Sequence, residues 1–355
     1  MRWDIFCKVI DNHGDLGVCW RLSGELAARG DTVRLWVDDP AALAWMAPGG
    51  CPGVEVLAWH ADSPGLPAGD AVVEAFGCDP HHAFLESLAA ATRQGAHPPA
   101  WFNLEYLSAE DYVERCHGLP SPVLAGPARG LAKRFFYPGF TDKTGGLLRE
   151  RDLAQRRARF DRQHWLAQHG VPDTGEQMVS LFCYEPAQLP QLLAHLAAAP
   201  RPTRLLVTAG RARAAVEATR AQAGPAGLPP ITWLPYLTQS DYDHLLWSCD
   251  LNFVRGEDSL VRALWAGRPF VWQIYRQDDG AHAAKLEAFL ERMQGPASWR
   301  EFHRAWNGLG GPLPPPQAAA WAPAIESAAA SLAGGIELVT RLREAAGAPQ
   351  GGACP

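Results

Sequence analysis

The chain has 355 residues, of which 47% are hydrophobic and 20% charged, and its formal net charge is −6. This length suits two domains of α/β size, and the composition is that of a soluble globular protein. The net charge argues against a general nucleic-acid binder, because no basic surplus exists to neutralise phosphates. No signal-peptide pattern opens the chain and no apolar run of roughly 18 residues crosses it. We therefore expect a cytoplasmic protein without a membrane partner.

Metal and redox chemistry find little support in the sequence. The eight cysteines include no C-x-x-C pair and no metal-ligand spacing, so reduced core thiols are expected. The acidic triplet Asp241-Tyr242-Asp243 is compatible with metal-dependent sugar transfer, but acidic residues are also expected in the first turn of a helix. We favour the helix, and we expect neither a metal nor a cofactor.

The first half of the chain alternates apolar strands with amphipathic helices. A strand from Trp3 to Ile10 leads through a polar loop into a helix that ends at Gly30, and further strands are predicted at 32–37 and 99–103. This alternation predicts a parallel α/β sheet. Residues 147–170 are predicted as one charged helix that stops before Val171-Pro172, where a domain junction fits.

The second half repeats the alternation and predicts a second Rossmann-like domain. Its predicted strands are 178–184, 203–208, 231–234, 250–254 and 269–274. The expected domains are 1–172 and 173–329, followed by a helix within 317–345, of which about 330–345 packs back on the first domain, and a disordered tail at 346–355.

The loop after the first predicted strand carries two acids, Asp11 and Asp15, around Asn12 and Gly14. Open α/β sheets place ligands at the carboxyl ends of their strands, so this loop is a candidate site. An Asx turn with a helix cap would instead use both aspartates structurally. The dinucleotide fingerprint GxGxxG is absent, which argues against a nicotinamide cofactor.

The stretch NFVRGEDSLVRALW (252–265) has the layout of an anion site, because an apolar strand runs through Arg-Gly-Glu-Asp-Ser into a helix. Gly256 permits a sharp turn, and Asp258 or Ser259 would cap the helix and leave backbone amides facing a phosphate. Arg255 adds a cation able to bind two phosphate oxygens. An ordinary capped helix with a surface arginine is the alternative.

Several long motifs in this order resemble one family, the bacterial protein-arginine rhamnosyltransferases that modify elongation factor P (EarP). The motifs are DNHGDLGVCWRL (11–22), NLEYLSAEDYVERCHGLPSP (103–122), FFYPGFTDKTGGLL (135–148), LFCYE (181–185) and the long segment 234–290. The resemblance covers about residues 1–295 and is weak at 40–75 and after 295.

The resemblance implies an α/β fold of GT-B architecture, with two Rossmann-like domains facing each other across a cleft. It implies dTDP-β-L-rhamnose as the donor, whose diphosphate would be held by Arg255 and the turn that runs from Gly256 through Glu257 and Asp258 to Ser259. The base and ribose of the nucleotide would lie near residues of mainly aromatic type, namely Phe182, Tyr184, Tyr236, Gln239 and Tyr242.

On the acceptor side, the resemblance implies inverting transfer to an arginine of the N-terminal domain of elongation factor P, which activates that factor for ribosomes stalled at polyproline. Asp15 would be the base and Asp11 the orienting partner, with the two roles interchangeable on the sequence alone. Glu257 is expected to be essential, although a carboxylate beside a diphosphate is repelled. Its side chain would turn towards sugar hydroxyls or support Arg255.

Candidate docking surfaces for the acceptor are 106–116 and 136–146, although Leu107 and Val113 also fit core positions and Gly146 a plain turn. Two alternatives to the favoured function stay open. One is another sugar-nucleotide enzyme on the same scaffold, such as an epimerase or a small-molecule glycosyltransferase. The other is a non-catalytic protein that binds elongation factor P.

Overall fold

The computed structural model describes residues 1–9, 13–223, 227–278 and 280–347. They divide into two compact units, 1–151 with the chain from 335 onward, and 152–334. Among them, no helix is long and apolar enough to cross a membrane. The expected tail at 346–355 lies almost entirely outside the described residues, as does Asp11.

The first unit is built on a seven-stranded sheet. Its strands are β1 (Arg2–Cys7), β2 (Thr32–Val37), β3 (Val54–Ala58), β4 (Ala71–Ala75), β5 (Ala100–Leu104), β6 (Pro120–Pro122) and β7 (Ala132–Phe136), in the order β3-β2-β1-β4-β5-β7-β6. All neighbouring pairs are parallel except β6 with β7. Its helices are α1 (Gly14–Ala27), α2 (Leu43–Met46), α3 (His82–Arg93), α4 (Tyr112–Cys116) and, at the carboxyl end of the described chain, a helix at Leu338–Ala345.

Both faces of this sheet are buried, because the apolar side chains of its central strands point alternately to one face and to the other. On one face Trp3 and Ile5 of β1 pack with α1 and with Leu338 and Leu342 of the last helix. On the other face Phe6 packs with α3 residues. The sheet order reverses between β1 and β4, so the carboxyl ends of these strands form the crevice in which such sheets bind ligands.

The second unit has a five-stranded, fully parallel sheet. Its strands are β8 (Gln177–Leu181), β9 (Thr203–Val207), β10 (Ile231–Trp233), β11 (Leu251–Arg255) and β12 (Phe270–Gln273), in the order β10-β9-β8-β11-β12. Its helices are α5 (Leu153–Ala158), α6 (Arg162–Gln168), α7 (Leu189–Ala197), α8 (Arg211–Ala223), α9 (Gln239–Ser248), α10 (Gly256–Ala266), α11 (Ala281–Met293), α12 (Ala297–Trp306) and α13 (Ala318–Ala333). The last helix of the first unit, Leu338–Ala345, is α14. Here the order reverses between β8 and β11.

The expected junction at Val171-Pro172 is wrong, since residues from Asp152 onward belong to the second unit. Trp165 and Leu166 of α6 are buried in its core, and Arg156 of α5 binds Asp243 of α9 at 3.0 Å. These contacts hold the segment against the second sheet, although its charged sequence was expected to belong to the first domain.

Two helices expected to be continuous are each divided into two. In 147–170 the break falls before α6, where the Asp161 carboxylate accepts a hydrogen bond from the His164 amide at 3.0 Å and caps the new helix. In 317–345 the break follows α13, and Glu337 caps α14 by accepting from the amides of Val339 and Thr340 at 2.7 and 2.9 Å. A single capping carboxylate thus starts a new helix within a sequence whose pattern predicts a continuous one.

Candidate functional site

The second unit brings several of the expected donor residues together at its switch point. Arg255 ends β11 and is 9% exposed. Its guanidinium lies over the rings of Phe182 and Tyr184, at 4.4 and 4.7 Å from the ring centroids, and donates to the Cys183 carbonyl at 3.0 Å. The segment after β8 and the end of β11 therefore form one cluster of two aromatic rings and a cation, at the strand ends where α/β sheets bind ligands.

The turn into α10 is built differently from the expectation. The helix begins at Gly256, whose φ is +67°, and its N-cap is Arg255. Neither Asp258 nor Ser259 is the cap, because both lie inside the first turns. The Ser259 hydroxyl accepts from the Arg255 amide at 3.1 Å and donates to the Arg255 carbonyl, so it fixes the turn that presents the guanidinium.

Asp258 belongs to a buried ion-pair network in place of a cap. Its carboxylate binds Arg262 at 3.0 Å, and Arg262 also binds Asp243 at 2.7 Å and the Gln239 carbonyl at 3.3 Å. Asp243 is 4% exposed and pairs in addition with Arg156. This network joins the start of α9 to the first turn of α10, so Gln239 and Asp258 occupy one corner of the site.

Both acids of the D-x-D triplet have structural partners. Asp243 lies in the network above, and the Asp241 carboxylate accepts from the Thr238 hydroxyl at 2.8 Å and from the Trp165 indole at 3.2 Å. The triplet opens α9, as expected of first-turn acids. Among the residues that the structure describes, no group of three or more His, Cys, Asp or Glu side chains is placed to hold a metal ion.

Tyr242 lies against Phe182, with the ring centroids 5.4 Å apart in an edge-to-face arrangement. Its hydroxyl is buried. Burial raises the pKa of this phenol well above its usual range, and the interaction with the Ser259 hydroxyl and the neighbouring arginines only partly oppose the shift. The phenol therefore stays neutral beside the Phe182 ring.

Tyr236 follows β10 and lies beside Gly210, which follows the neighbouring strand β9. Its ring is 54% exposed, and a Cβ on Gly210 would lie 3.4 Å from its hydroxyl. Gly210 has a φ of +82°, so both the conformation and the space favour glycine there.

Four residues near Tyr184 escaped the sequence analysis. Arg211, at the start of α8, lies 4.9 Å over the Tyr184 ring and pairs with Glu185 at 2.8 Å. The Tyr184 amide donates to the Gln273 side chain at 2.8 Å, and Tyr275 packs edge-on against its ring. The sequence signal for Arg211 is a strand followed by Gly-Arg and a helix at 203–211, which resembles the strand, Arg-Gly and helix around Arg255 with the two residues in reverse order.

The structure pairs Glu257 with a cation that the sequence analysis also missed. Lys285 of α11 forms an ion pair with the Glu257 carboxylate, and both side chains are less than one-fifth exposed. This ammonium adds positive charge beside the first turn of α10 and balances the carboxylate that would repel an anion there. The local sequence gave no signal for the pairing, because 28 residues separate the partners.

In the first unit, Asp15 lies in the first turn of α1 at the carboxyl end of β1 and is 4% exposed. A carboxylate there is favoured by the N-terminal amides of the helix. His13, the N-cap residue, accepts from the Gly17 amide at 2.9 Å through its carbonyl and packs edge-on against Trp45. The partner expected for Asp15, Asp11, lies outside the described residues.

The neighbouring strand ends carry aromatic rings. Phe76, just after β4, has the unusual φ of +57° and stacks on Tyr106 with the ring centroids 4.6 Å apart. In the expected docking segments, Leu107 and Val113 are 5% and 2% exposed, so both are core residues. Gly146 is fixed by packing, since a Cβ there would lie 2.5 Å from the Ile336 carbonyl oxygen.

Two Rossmann-like units, each with a mainly parallel sheet, make up the fold of the GT-B glycosyltransferases, and this confirms the expected fold class. The family model for the elongation factor P (EF-P) rhamnosyltransferase EarP matches residues 3–344. The chain therefore belongs to the EarP family of protein-arginine rhamnosyltransferases.

Curated relatives with the same description support this membership. The protein-arginine rhamnosyltransferase of Pseudomonas aeruginosa is 47% identical over 338 residues, which cover 87% of this chain and 88% of the relative. That of Neisseria meningitidis serogroup B is 36% identical and covers 82% and 78% of the two chains.

Solved structures agree with the fold. One, described as the structural basis for EarP-mediated arginine glycosylation of translation elongation factor EF-P, is 33% identical with a TM-score of 0.62 and covers 97% of both chains. The spinosyn rhamnosyltransferase SpnG complexed with thymidine diphosphate is 12% identical with a TM-score of 0.52, covers 97% of this chain and 99% of its own, and shows the fold alone.

Proposed function

We propose that the chain transfers L-rhamnose from dTDP-β-L-rhamnose to an arginine side chain of elongation factor P, and thereby activates the factor for ribosomes stalled at polyproline. The observation that carries the donor half is the position of Arg255, held over Phe182 and Tyr184 at the switch point of the second sheet. Family membership and the description of the similar EarP structure support the acceptor half.

In the proposed donor site, the dTDP diphosphate lies at the first turn of α10. Its oxygens accept from Arg255 and from the amides of Gly256 to Ser259, while Lys285 supplies a second positive charge. Phe182, Tyr184, Tyr236, Gln239 and Tyr242 surround the base and ribose. Both charge and hydrogen bonding then stabilise the diphosphate as it leaves.

In the proposed transfer, Asp15 accepts the proton and Asp11 orients the guanidinium. An arginine has a pKa above about 12, so its nitrogen becomes a nucleophile only as a base removes a proton. One nitrogen forms a bond to the anomeric carbon while the bond from that carbon to the diphosphate oxygen breaks. The nitrogen loses its proton to Asp15, dTDP leaves, and attack from the opposite face inverts β-rhamnoside to α.

The direct test is the intact mass of elongation factor P after incubation with the protein and dTDP-β-L-rhamnose. We expect an increase of one deoxyhexose, located on an arginine by fragmentation. dTDP-glucose in place of the rhamnose donor is the control. An unchanged mass with folded, nucleotide-binding protein would refute the proposal.

We expect the enzyme to recognise its acceptor as a folded domain. A two-carboxylate site offers little affinity for an isolated side chain, and a disordered peptide must lose chain entropy when it binds. The isolated N-terminal domain of elongation factor P should therefore be modified much faster than an unstructured peptide with the same arginine loop, in a rate comparison at equal concentration. Equal rates would show that the fold of the acceptor is not recognised.

Transfer is expected to continue in EDTA. Arg255, Lys285 and the α10 amides stand where a metal would otherwise neutralise the diphosphate, and Asp243 is already bound by Arg156 and Arg262. The measurement is the initial rate before and after chelation. A rate lost on chelation and restored by Mg²⁺ or Mn²⁺ would contradict the metal-free mechanism.

Replacing Lys285 by methionine should weaken dTDP binding by about tenfold, because Glu257 would then repel the diphosphate uncompensated. The double variant Lys285→Met/Glu257→Gln should recover part of this affinity, as measured by calorimetry. The control is Arg304→Met, which breaks the pair between Arg304 of α12 and Glu287 of α11. If the double variant binds more weakly than Lys285→Met, the pair does not act through charge balance.

A further inference from the structure

The carboxyl ends of β5 and β7 hold a carboxylate that the proposed transfer does not use. Glu105 follows β5, is half-buried, and continues the ladder by donating from its amide to the Phe136 carbonyl at 3.0 Å. Its carboxylate accepts from the Asn103 side-chain amide at 2.7 Å. Within the described chain, no lysine, arginine or histidine forms an ion pair with it.

Burial without a cation is unfavourable for this group. It raises the pKa of Glu105, and the hydrogen bond from Asn103 opposes the shift only in part. The nearby bases do not compensate. Lys143 pairs with Glu114 at 3.1 Å, and burial lowers the pKa of His117, whose Nδ1 accepts from the Tyr137 amide at 3.1 Å.

Aromatic rings lie beside this carboxylate. Tyr137 follows Phe136, whose carbonyl accepts from the Glu105 amide, and the charge of Glu105 contributes, after burial, to a pKa of about 12 for Tyr137. Tyr112 packs edge-on against Tyr137, with the ring centroids 5.8 Å apart, and is 39% exposed. A carboxylate flanked by tyrosine rings is suited to bind an ammonium or a guanidinium.

The position in the sheet separates this cluster from Asp15. β4 lies between β1 and β5, so the carboxyl end of β5 is two strand spacings, roughly 10 Å, from the end of β1 that leads to Asp15. A guanidinium at Asp15 does not reach that far. An extended chain covers the same distance in about three residues.

We propose that Glu105, Tyr112 and Tyr137 form a subsite for a second basic side chain of the acceptor, about three residues along its loop from the arginine that is modified. This inference rests on the proposed function and deepens it. The subsite fixes which way the loop runs over the first sheet, and it selects acceptors that carry a lysine or arginine at that spacing.

The experiment measures steady-state transfer to folded elongation factor P. Glu105→Gln should raise the KM for the acceptor about tenfold through loss of a charge-assisted contact, with far less effect on kcat and on the KM for dTDP-β-L-rhamnose. Tyr112→Leu should raise the acceptor KM several-fold. The matched control is Glu55→Gln, since Glu55 is exposed on edge strand β3 of the same sheet.

The partner residue is found by replacing each lysine and arginine near the modified arginine of the acceptor by alanine. One replacement should raise the KM of the unaltered enzyme as much as Glu105→Gln does, and should add little in the Glu105→Gln background. Unchanged acceptor KM in Glu105→Gln, or fully additive effects, would overturn the subsite. If Glu105→Gln does not fold, the acceptor scan decides alone. A scan in which no lysine or arginine replacement raises the KM would overturn the subsite.

Failure of the proposed function can be distinguished from failure of the subsite. In that case the unaltered enzyme modifies no arginine, and the subsite is judged by the affinity for elongation factor P in calorimetry. Equal affinities of the unaltered protein and Glu105→Gln would then reject the subsite as well.

Discussion

Replacing Asp15 by asparagine is expected to lower the rate of transfer by ~10²-fold or more while dTDP binding persists. Asp15 lies at the carboxyl end of β1 in the first unit, whereas the proposed diphosphate contacts lie in the second. Asparagine keeps the size and a hydrogen-bonding oxygen but cannot accept the guanidinium proton. The effect should therefore fall on the chemical step, whose rate single-turnover kinetics with saturating donor measures directly.

The control for this prediction is Asp62→Asn, an exposed loop aspartate of the same unit that should leave the rate unchanged. Thermal unfolding separates catalysis from folding, because Asp15 is 4% exposed. If calorimetry shows that Asp15→Asn loses dTDP along with activity, Asp15 is a donor or structural residue and the base lies elsewhere.

The strands were predictable because their signal is local. Alternating or continuous apolar runs between polar loops indicate parallel strands, and β2 matches its predicted bounds of 32–37. Every predicted strand of the second half is present, with its bounds shifted by at most three residues. The helix breaks before α6 and α14 were missed, since each depends on one capping carboxylate within an otherwise helical pattern.

The donor cluster was partly predictable for a related reason. A strand that ends in Arg-Gly and enters a helix has a short-range signature, and it led to Arg255 and the turn after it. Lys285 and Arg211 were missed because their roles depend on contacts between distant segments, with Glu257 and with Tyr184. The capping role given to Asp258 was wrong, because the carboxylate is drawn to Arg262 one turn along the helix.

Replacing Arg255 by alanine should weaken the binding of dTDP far more than the binding of thymidine. The guanidinium is assigned to the diphosphate, and loss of such a charge-assisted contact costs about 1.5 to 3 kcal/mol, or roughly 10- to 150-fold in affinity. Thymidine, which lacks phosphate, should lose little unless Phe182 and Tyr184 move when the cation between them is removed. Calorimetry with both ligands measures the difference.

The matched control for Arg255 is Arg213→Ala. Arg213 belongs to the same unit and also lies over an aromatic ring, at 5.3 Å from the centroid of Trp233, but it is half exposed on α8 and pairs with Glu217. Its loss should leave both affinities unchanged, which separates phosphate binding from the general effect of removing a cation over a ring. Equal losses of dTDP and thymidine affinity in Arg255→Ala would mean that Arg255 acts by holding the aromatic rings in place. The diphosphate contact would then pass to Lys285 and the α10 amides, and Lys285→Met would show the larger loss for dTDP.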